Sequence, residues 1–177
     1  MHKKYPLLRE DPVRNYFQHH KYSTTLQFVV LCELKIELSP KPGPKRYPDQ
    51  LFFLQWLREA KGVTKIIKLT VDDRREPHRD EDIEQVVGGW DDSDPKKPGT
   101  NTAASFDVEI LDWRKADLCP VTIKRAAPNV RELHLHWSGS NSVLFGWSDA
   151  SCLASLPRLR KIHVHYTIVS CRGFPSY

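Results

Sequence analysis

Val130-Arg-Glu-Leu133-His-Leu135-His-Trp137 and Leu159-Arg-Lys-Ile162-His-Val164-His-Tyr166 are one phrase written twice, offset by 29 residues. Each copy follows a helix-like segment, the first ending in Ala127-Pro-Asn and the second in Leu156-Pro-Arg. The shared pattern is apolar-x-x-apolar-x-apolar. In an extended strand successive side chains point to opposite faces, so Leu133, Leu135 and Trp137 turn one way while His134 and His136 turn the other. With Ile162, Val164 and Tyr166 beside them, the apolar halves form one continuous surface that a helix must cover. Neither unit buries that surface alone.

The spacing suits one strand and one helix per unit, and the pattern is the strand signature of a leucine-rich repeat. The expected fold is therefore α/β, with leucine-rich-repeat-like βα units, a parallel sheet and helices covering one face. An ordinary α/β domain with two similar strands shares these features.

Upstream, the clearest helix is expected from about Pro48 to Lys61. Asp49 is placed to cap it, Leu51, Leu54, Trp56 and Leu57 form its buried stripe, and Gly62 supplies a left-handed stop. Lys65 to Val71 reads as a strand. Asp80 to Val87 reads as a short helix closed by Gly88-Gly89, Phe106 to Trp113 as a central strand with apolar residues on both faces, and Pro120 to Ala127 as a helix with Pro at its first position. Ser138 to Gly146 is expected to be an irregular tip, followed by a helix from about Asp149 to Leu156. Nearer the start, Val30, Cys32, Leu34, Ile36 and Leu38 alternate with Glu33, Lys35 and Glu37, the period of one half-exposed strand. Residues 1–25 lack periodicity and are expected to be irregular.

At 177 residues the chain has room for one domain with a real core. The expected organisation is a basic, Pro-rich segment over 1–45 with one strand, a repeat-like α/β domain over 46–166 with a mobile loop at about 90–105, and a tail over 167–177. The net charge of +5 is uneven: residues 1–47 hold nine Lys or Arg against four acids, and the remainder is balanced. Because this basic excess lies in a loosely patterned stretch, it lacks the footprint of a nucleic-acid binder, whose cations cluster on a folded face among aromatics. No apolar run reaches the length of a membrane span or resembles a secretory leader. Cys32, Cys119, Cys152 and Cys171 have no metal-knuckle spacing and read as buried thiols of a cytoplasmic protein.

No arrangement of catalytic residues reaches the level of a motif: phosphate loops, dinucleotide glycine loops, His-Glu-x-x-His and Gly-x-Ser-x-Gly are all absent. The acidic turn Val71-Asp72-Asp73 lies at a strand end where α/β sites often form, but charge runs are more often a solvated face. The constellation with geometry is His134, His136, His163 and His165. In register, all four imidazoles share one face, about 5 Å apart across strands and 6 to 7 Å along them. Three could grip an ion such as zinc, but the carboxylate second shell such a site expects is missing apart from help by Glu132. The preferred reading keeps them as solvent-facing polar residues with no metal and no cofactor.

The run Val108-Glu-Ile-Leu-Asp-Trp-Arg-Lys-Ala-Asp-Leu-Cys119, then Ala127-Pro-Asn-Val-Arg-Glu-Leu-His-Leu-His-Trp-Ser-Gly-Ser-Asn141 and Val143-Leu-Phe-Gly-Trp-Ser148, resembles the repeat-like region that precedes the protease domain in some fungal multidomain subtilisin-like proteins. Leu69-Thr-Val-Asp-Asp73 and Asp80-Glu-Asp-Ile-Glu84 resemble the preceding part of that region, and the likeness spans about Leu51 to Tyr166. The protease itself needs an Asp-Ser-Gly or Asp-Thr-Gly, a His-Gly-Thr and a Gly-Thr-Ser-x-Ala segment. None occurs here, so no protease residue carries over. What the resemblance implies is a recognition region, truncated from a longer protein.

The expected function is a non-catalytic, intracellular protein-interaction module that binds another protein or domain through its exposed strand face. His134, His136, Trp137, His163, His165 and Trp147 are the candidate binding residues. The competing expectation is an N-terminal fragment of a fungal subtilisin-like serine protease whose catalytic domain lies outside this chain.

Overall fold

The computed structural model describes residues 6–40, 45–90 and 105–166. In chain order the elements are β1 (Leu7–Arg9), α1 (Glu10–Phe17), β2 (Thr25–Leu31), β3 (Lys35–Glu37), α2 (Leu51–Lys61), β4 (Lys65–Val71), α3 (Asp80–Gly88), β5 (Asp107–Ala116), α4 (Pro120–Ala126), β6 (Glu132–Trp137), α5 (Asn141–Ser148), a 3-10 turn at Leu153–Ser155, and β7 (Lys161–Tyr166). Five strands form one sheet in the order β2-β4-β5-β6-β7, every neighbouring pair parallel. Each crossover between them carries a helix, the connection parallel strands require.

The apolar-x-x-apolar-x-apolar phrase is not confined to the last two strands. Leu26, Val29 and Leu31 in β2, Ile66, Leu69 and Val71 in β4, and Val108, Leu111 and Trp113 in β5 repeat it, and the ladder aligns the copies: Leu26 with Ile66, Ile66 with Val108, Val29 with Leu69, Leu69 with Leu111, Leu111 with Leu133, Leu133 with Ile162. Strict alternation would send the first and second apolar positions to opposite faces. Here the pairing passes from Leu26↔Ile66 to Phe28↔Lys68 without joining the residues between, and all three apolar positions of β4 are fully buried. Leu133 and Leu135 complete the same core at 1% and 2% exposure, each worth about 1.5–3 kcal/mol on burial.

The helices contribute Leu51, Leu54, Trp56 and Leu57 from α2, Ile83, Val86 and Val87 from α3, and Ile123 and Ala126 from α4 to this single core. Gly62 stops α2 in the left-handed conformation with φ 67°, as expected. Asp49 caps it from two residues upstream, its Oδ1 accepting the Leu51 amide at 3.0 Å. Buried Glu84 fastens α3 to α4 by accepting from Thr122 Oγ1 at 2.9 Å and Arg125 Nη1 at 2.8 Å. On the opposite side of the sheet no described helix lies over the edge strand β2, where Phe28 and Val30 are 71% and 65% exposed, while Thr70 and Asp112 in the middle of the same row are 6% and 7% exposed.

Several expectations are corrected. The predicted single strand over Val30 to Leu38 is two short pieces, because β4 ends at Val71 and β2 has no ladder partner beyond Leu31; β3 pairs instead with β1 in a separate parallel ribbon. Residues 1–25 include α1 and β1, with α1 anchored by Glu10, which is 1% exposed and bound by Arg14, Arg46 and the Ser39 amide. The tip at Ser138 to Gly146 is largely helical, α5, while the expected helix over Asp149 to Leu156 shrinks to the 3-10 turn. Ile162, Val164 and Tyr166 are not inside: they are 44%, 51% and 65% exposed, since β7 is the sheet edge and no crossover helix follows it among the described residues. The cysteines are not buried either, Cys32 being exposed and Cys119 and Cys152 half-buried, all with free thiols. Cys171, the tail over 167–177 and nearly all of the loop at 90–105 lie outside the described residues. No described helix is long and apolar enough to cross a membrane.

Candidate functional site

The open sheet face carries a two-by-two array of imidazoles. His134 pairs with His163 and His136 with His165 across β6 and β7. The rings stack at 4.4 Å for His134–His163 and 5.0 Å for His136–His165, with 6.3 Å along β7 between His163 and His165. Leu133 and Leu135, buried on the other face, put His134 and His136 on this side, and the β6–β7 register sets His163 and His165 beside them.

Two carboxylates border the array. Glu132 Oε1 lies 3.2 Å from His134 Nε2 and 3.0 Å from His163 Nε2, so two rings converge on one oxygen. Asp112, paired with His134 on the neighbouring strand β5, reaches His136 Nε2 at 3.0 Å. A register shift between Asp112 and Ala116 puts extra β5 residues opposite His134–His136 and leaves Asp112 beside that imidazole. His134 Nδ1 is 3.0 Å from His165 Nε2, which fixes complementary tautomers on the two rings.

Burial and neighbouring charges act on His134 and Glu132. Burial holds the His134 imidazolium below its ordinary range, with the charges of His163 and His165 acting the same way against Asp112 and Glu132. Burial raises the Glu132 carboxyl, but Lys161 and the two imidazole hydrogen bonds more than reverse it, and Glu132 remains an anion at neutral pH. The array thus aims two imidazole N–H groups at one fixed negative charge.

The other candidate residues divide. Trp137 is half-buried, donating its indole N–H to the Ser140 carbonyl at 2.8 Å and meeting Tyr166 edge-on at 5.7 Å. Trp147 is only 6% exposed and donates to the Leu118 carbonyl at 2.9 Å, which makes it a core residue of α5 and no surface anchor.

A second polar cluster sits where β4 ends. Asp73, 1% exposed, accepts from the His78 backbone amide, from His78 Nδ1 at 2.7 Å and from Trp113 Nε1 at 2.7 Å. The other ring nitrogen, His78 Nε2, lies 3.1 Å from Asp49 Oδ2. Burial opposes the charge on His78, but the hydrogen bonds and charges of Asp49 and Asp73 outweigh it and raise the imidazolium to about 9. With both ring nitrogens donating to carboxylates, His78 has no lone pair to act as a base. It is a cationic pin, beside a shallow cleft of about 240 Å³ that includes Glu33, Lys35 and Glu76. Sequence reasoning noticed Asp72-Asp73 but could not supply the partners, because Asp49 and Trp113 come from α2's approach and from β5.

No family model matches this sequence, and no curated protein or solved structure matches the chain.

Proposed function

We propose that the chain is a non-catalytic, leucine-rich-repeat-like interaction module whose open sheet face holds a partner protein. The observation that carries this reading is the alignment of the apolar-x-x-apolar-x-apolar phrase across five parallel strands. It gives a rigid sheet with one buried and one open side, the surface on which repeat scaffolds bind. The open side has an apolar end at Phe28 and Val30 and an imidazole end at His134, His136, His163 and His165. The partner is a protein that lays an aliphatic or aromatic group against the first and hydrogen-bonding polar groups against the second, an anchor-and-rim division common to specific interfaces. The exposed inner side of β7, at Ile162, Val164 and Tyr166, supports the further reading that another layer of polypeptide packs on that edge, as it would in a longer stack.

The test places a photoreactive side chain at Phe28, on the open face, or at Phe145, 75% exposed on α5. The expected result is one polypeptide crosslinked from position 28 and not from 145, whose binding in purified form is weakened at least tenfold by Phe28→Ser and His163→Ser and unchanged by Phe145→Ser. Binding that is insensitive to both open-face changes overturns the reading.

A further inference from the structure

We infer that Glu132, His134 and His163 form a binding site for a single divalent transition-metal ion, zinc in the first instance, that clamps β7 to β6. Their ligand atoms all lie within 4.8 Å of one another. Two imidazole Nε2 atoms approach the same carboxylate oxygen at 3.0 and 3.2 Å. Ligands bonded to zinc at about 2.0–2.1 Å in a tetrahedron lie about 3.3 Å apart, close to these two hydrogen-bond separations. Closing the shell requires the stacked His134 and His163 rings, now 4.4 Å apart and 14° from parallel, to tip toward each other. His163, with a third of its side chain exposed, has the freedom to do so.

The surroundings suit an ion better than they suit a chance cluster of polar groups. His134 is held in orientation through its other nitrogen by His165 at 3.0 Å, the outer hydrogen bond that metal-bound imidazoles almost always make. With Nε2 on the metal, the imidazole proton sits on Nδ1 and is donated to His165 Nε2. Nitrogen and carboxylate donors together favour zinc over calcium or magnesium. Three protein ligands leave a fourth position for water. This site is independent of the partner-binding reading, since it needs only β6 and β7 in register.

The test is calorimetric titration of the untagged full chain with zinc sulfate, repeated with Glu132→Gln, His163→Ala and His136→Ala, together with the shift in thermal midpoint on adding zinc. Wild type is expected to bind one equivalent in the micromolar range and to unfold at higher temperature with zinc present, as any ligand selective for the folded state requires. Glu132→Gln and His163→Ala should each weaken binding by about tenfold or more, while His136→Ala, whose ring is held by Asp112, stays within threefold. Because residues 132 and 163 lie at the sheet surface, circular dichroism of both variants should match wild type. Absence of one-equivalent binding, or a His136→Ala loss as large as that of His163→Ala, overturns the site.

Discussion

Replacing His78 by glutamine tests whether a buried cation pins the strand ends together. In the folded chain the His78 imidazolium titrates at about 9 against an ordinary 6.5, a difference equivalent to about 3 kcal/mol at about 1.4 kcal/mol per pH unit. Since the folded value is raised, this stabilisation is complete below pH 6.5 and disappears as pH climbs through 9. Urea unfolding at pH 6 and at pH 9.5 measures it: with a slope of about 1–3 kcal/mol/M, the wild-type midpoint should fall by about 1–3 M. His78→Gln removes the cation while Asp73 stays 1% exposed, and leaving a buried charge without its partner costs about 3–5 kcal/mol at neutral pH. The variant should also lose most of the alkaline decline. An unchanged decline in His78→Gln, or a wild type equally stable at both pH values, refutes the reasoning.

Trp113→Phe keeps the ring but withdraws the indole donor from Asp73 at 2.7 Å; equilibrium unfolding should show a loss of about 2 kcal/mol. Gly88→Ala would place a Cβ 2.8 Å from Trp90 Cδ1 and 3.0 Å from Ala126 Cα, against the Arg125 carbonyl as well, so α3 and α4 must separate and thermal melting should report at least about 2 kcal/mol of destabilisation. Although burial opposes it, the bonds from Arg14, the Ser39 amide and Arg46 lower the Glu10 carboxyl from 4.5 to about 2. Its stabilisation is present above pH 4.5 and lost as pH falls through 2, so acid titration of Glu10→Gln should lack that part of the wild-type acid transition.

Strands whose apolar phrase is clean are legible in the sequence: β4, β6 and β7 fall where the pattern puts them, and α2 and α3 end at the glycines that adopt positive φ. The earlier copies were harder to see. In β2 the phrase is Leu26-Gln-Phe-Val29-Val-Leu31, with Phe28 and Val30 apolar on the open side, so no contrast between faces marks it. Alternation further on, through Ile36, then drew the strand too far, and only the length of β4 sets where pairing stops. Helix α1 buries Glu10 through Arg46 and Ser39, contacts that no local period reveals. In α5, Gly146 and the serines disguise a helix whose one buried side chain is Trp147. The imidazole array followed from the strand pattern alone. Convergence of two of its rings on Glu132, and the Asp73–His78–Asp49 pin, depend on side-chain reach across strands and loops, which sequence does not encode locally.

Both the binding face and the ion site rest on β6 and β7 lying side by side with their histidines outward. In a background with the native cysteines changed to serine, His134→Cys/His163→Cys tests this most directly, because parallel neighbours about 4.8 Å apart on one face lie within disulfide reach. The account predicts rapid oxidative crosslinking of that pair in the folded protein and none for Leu133→Cys/His163→Cys, whose side chains point to opposite faces. Crosslinking of the second pair in preference to the first would contradict it.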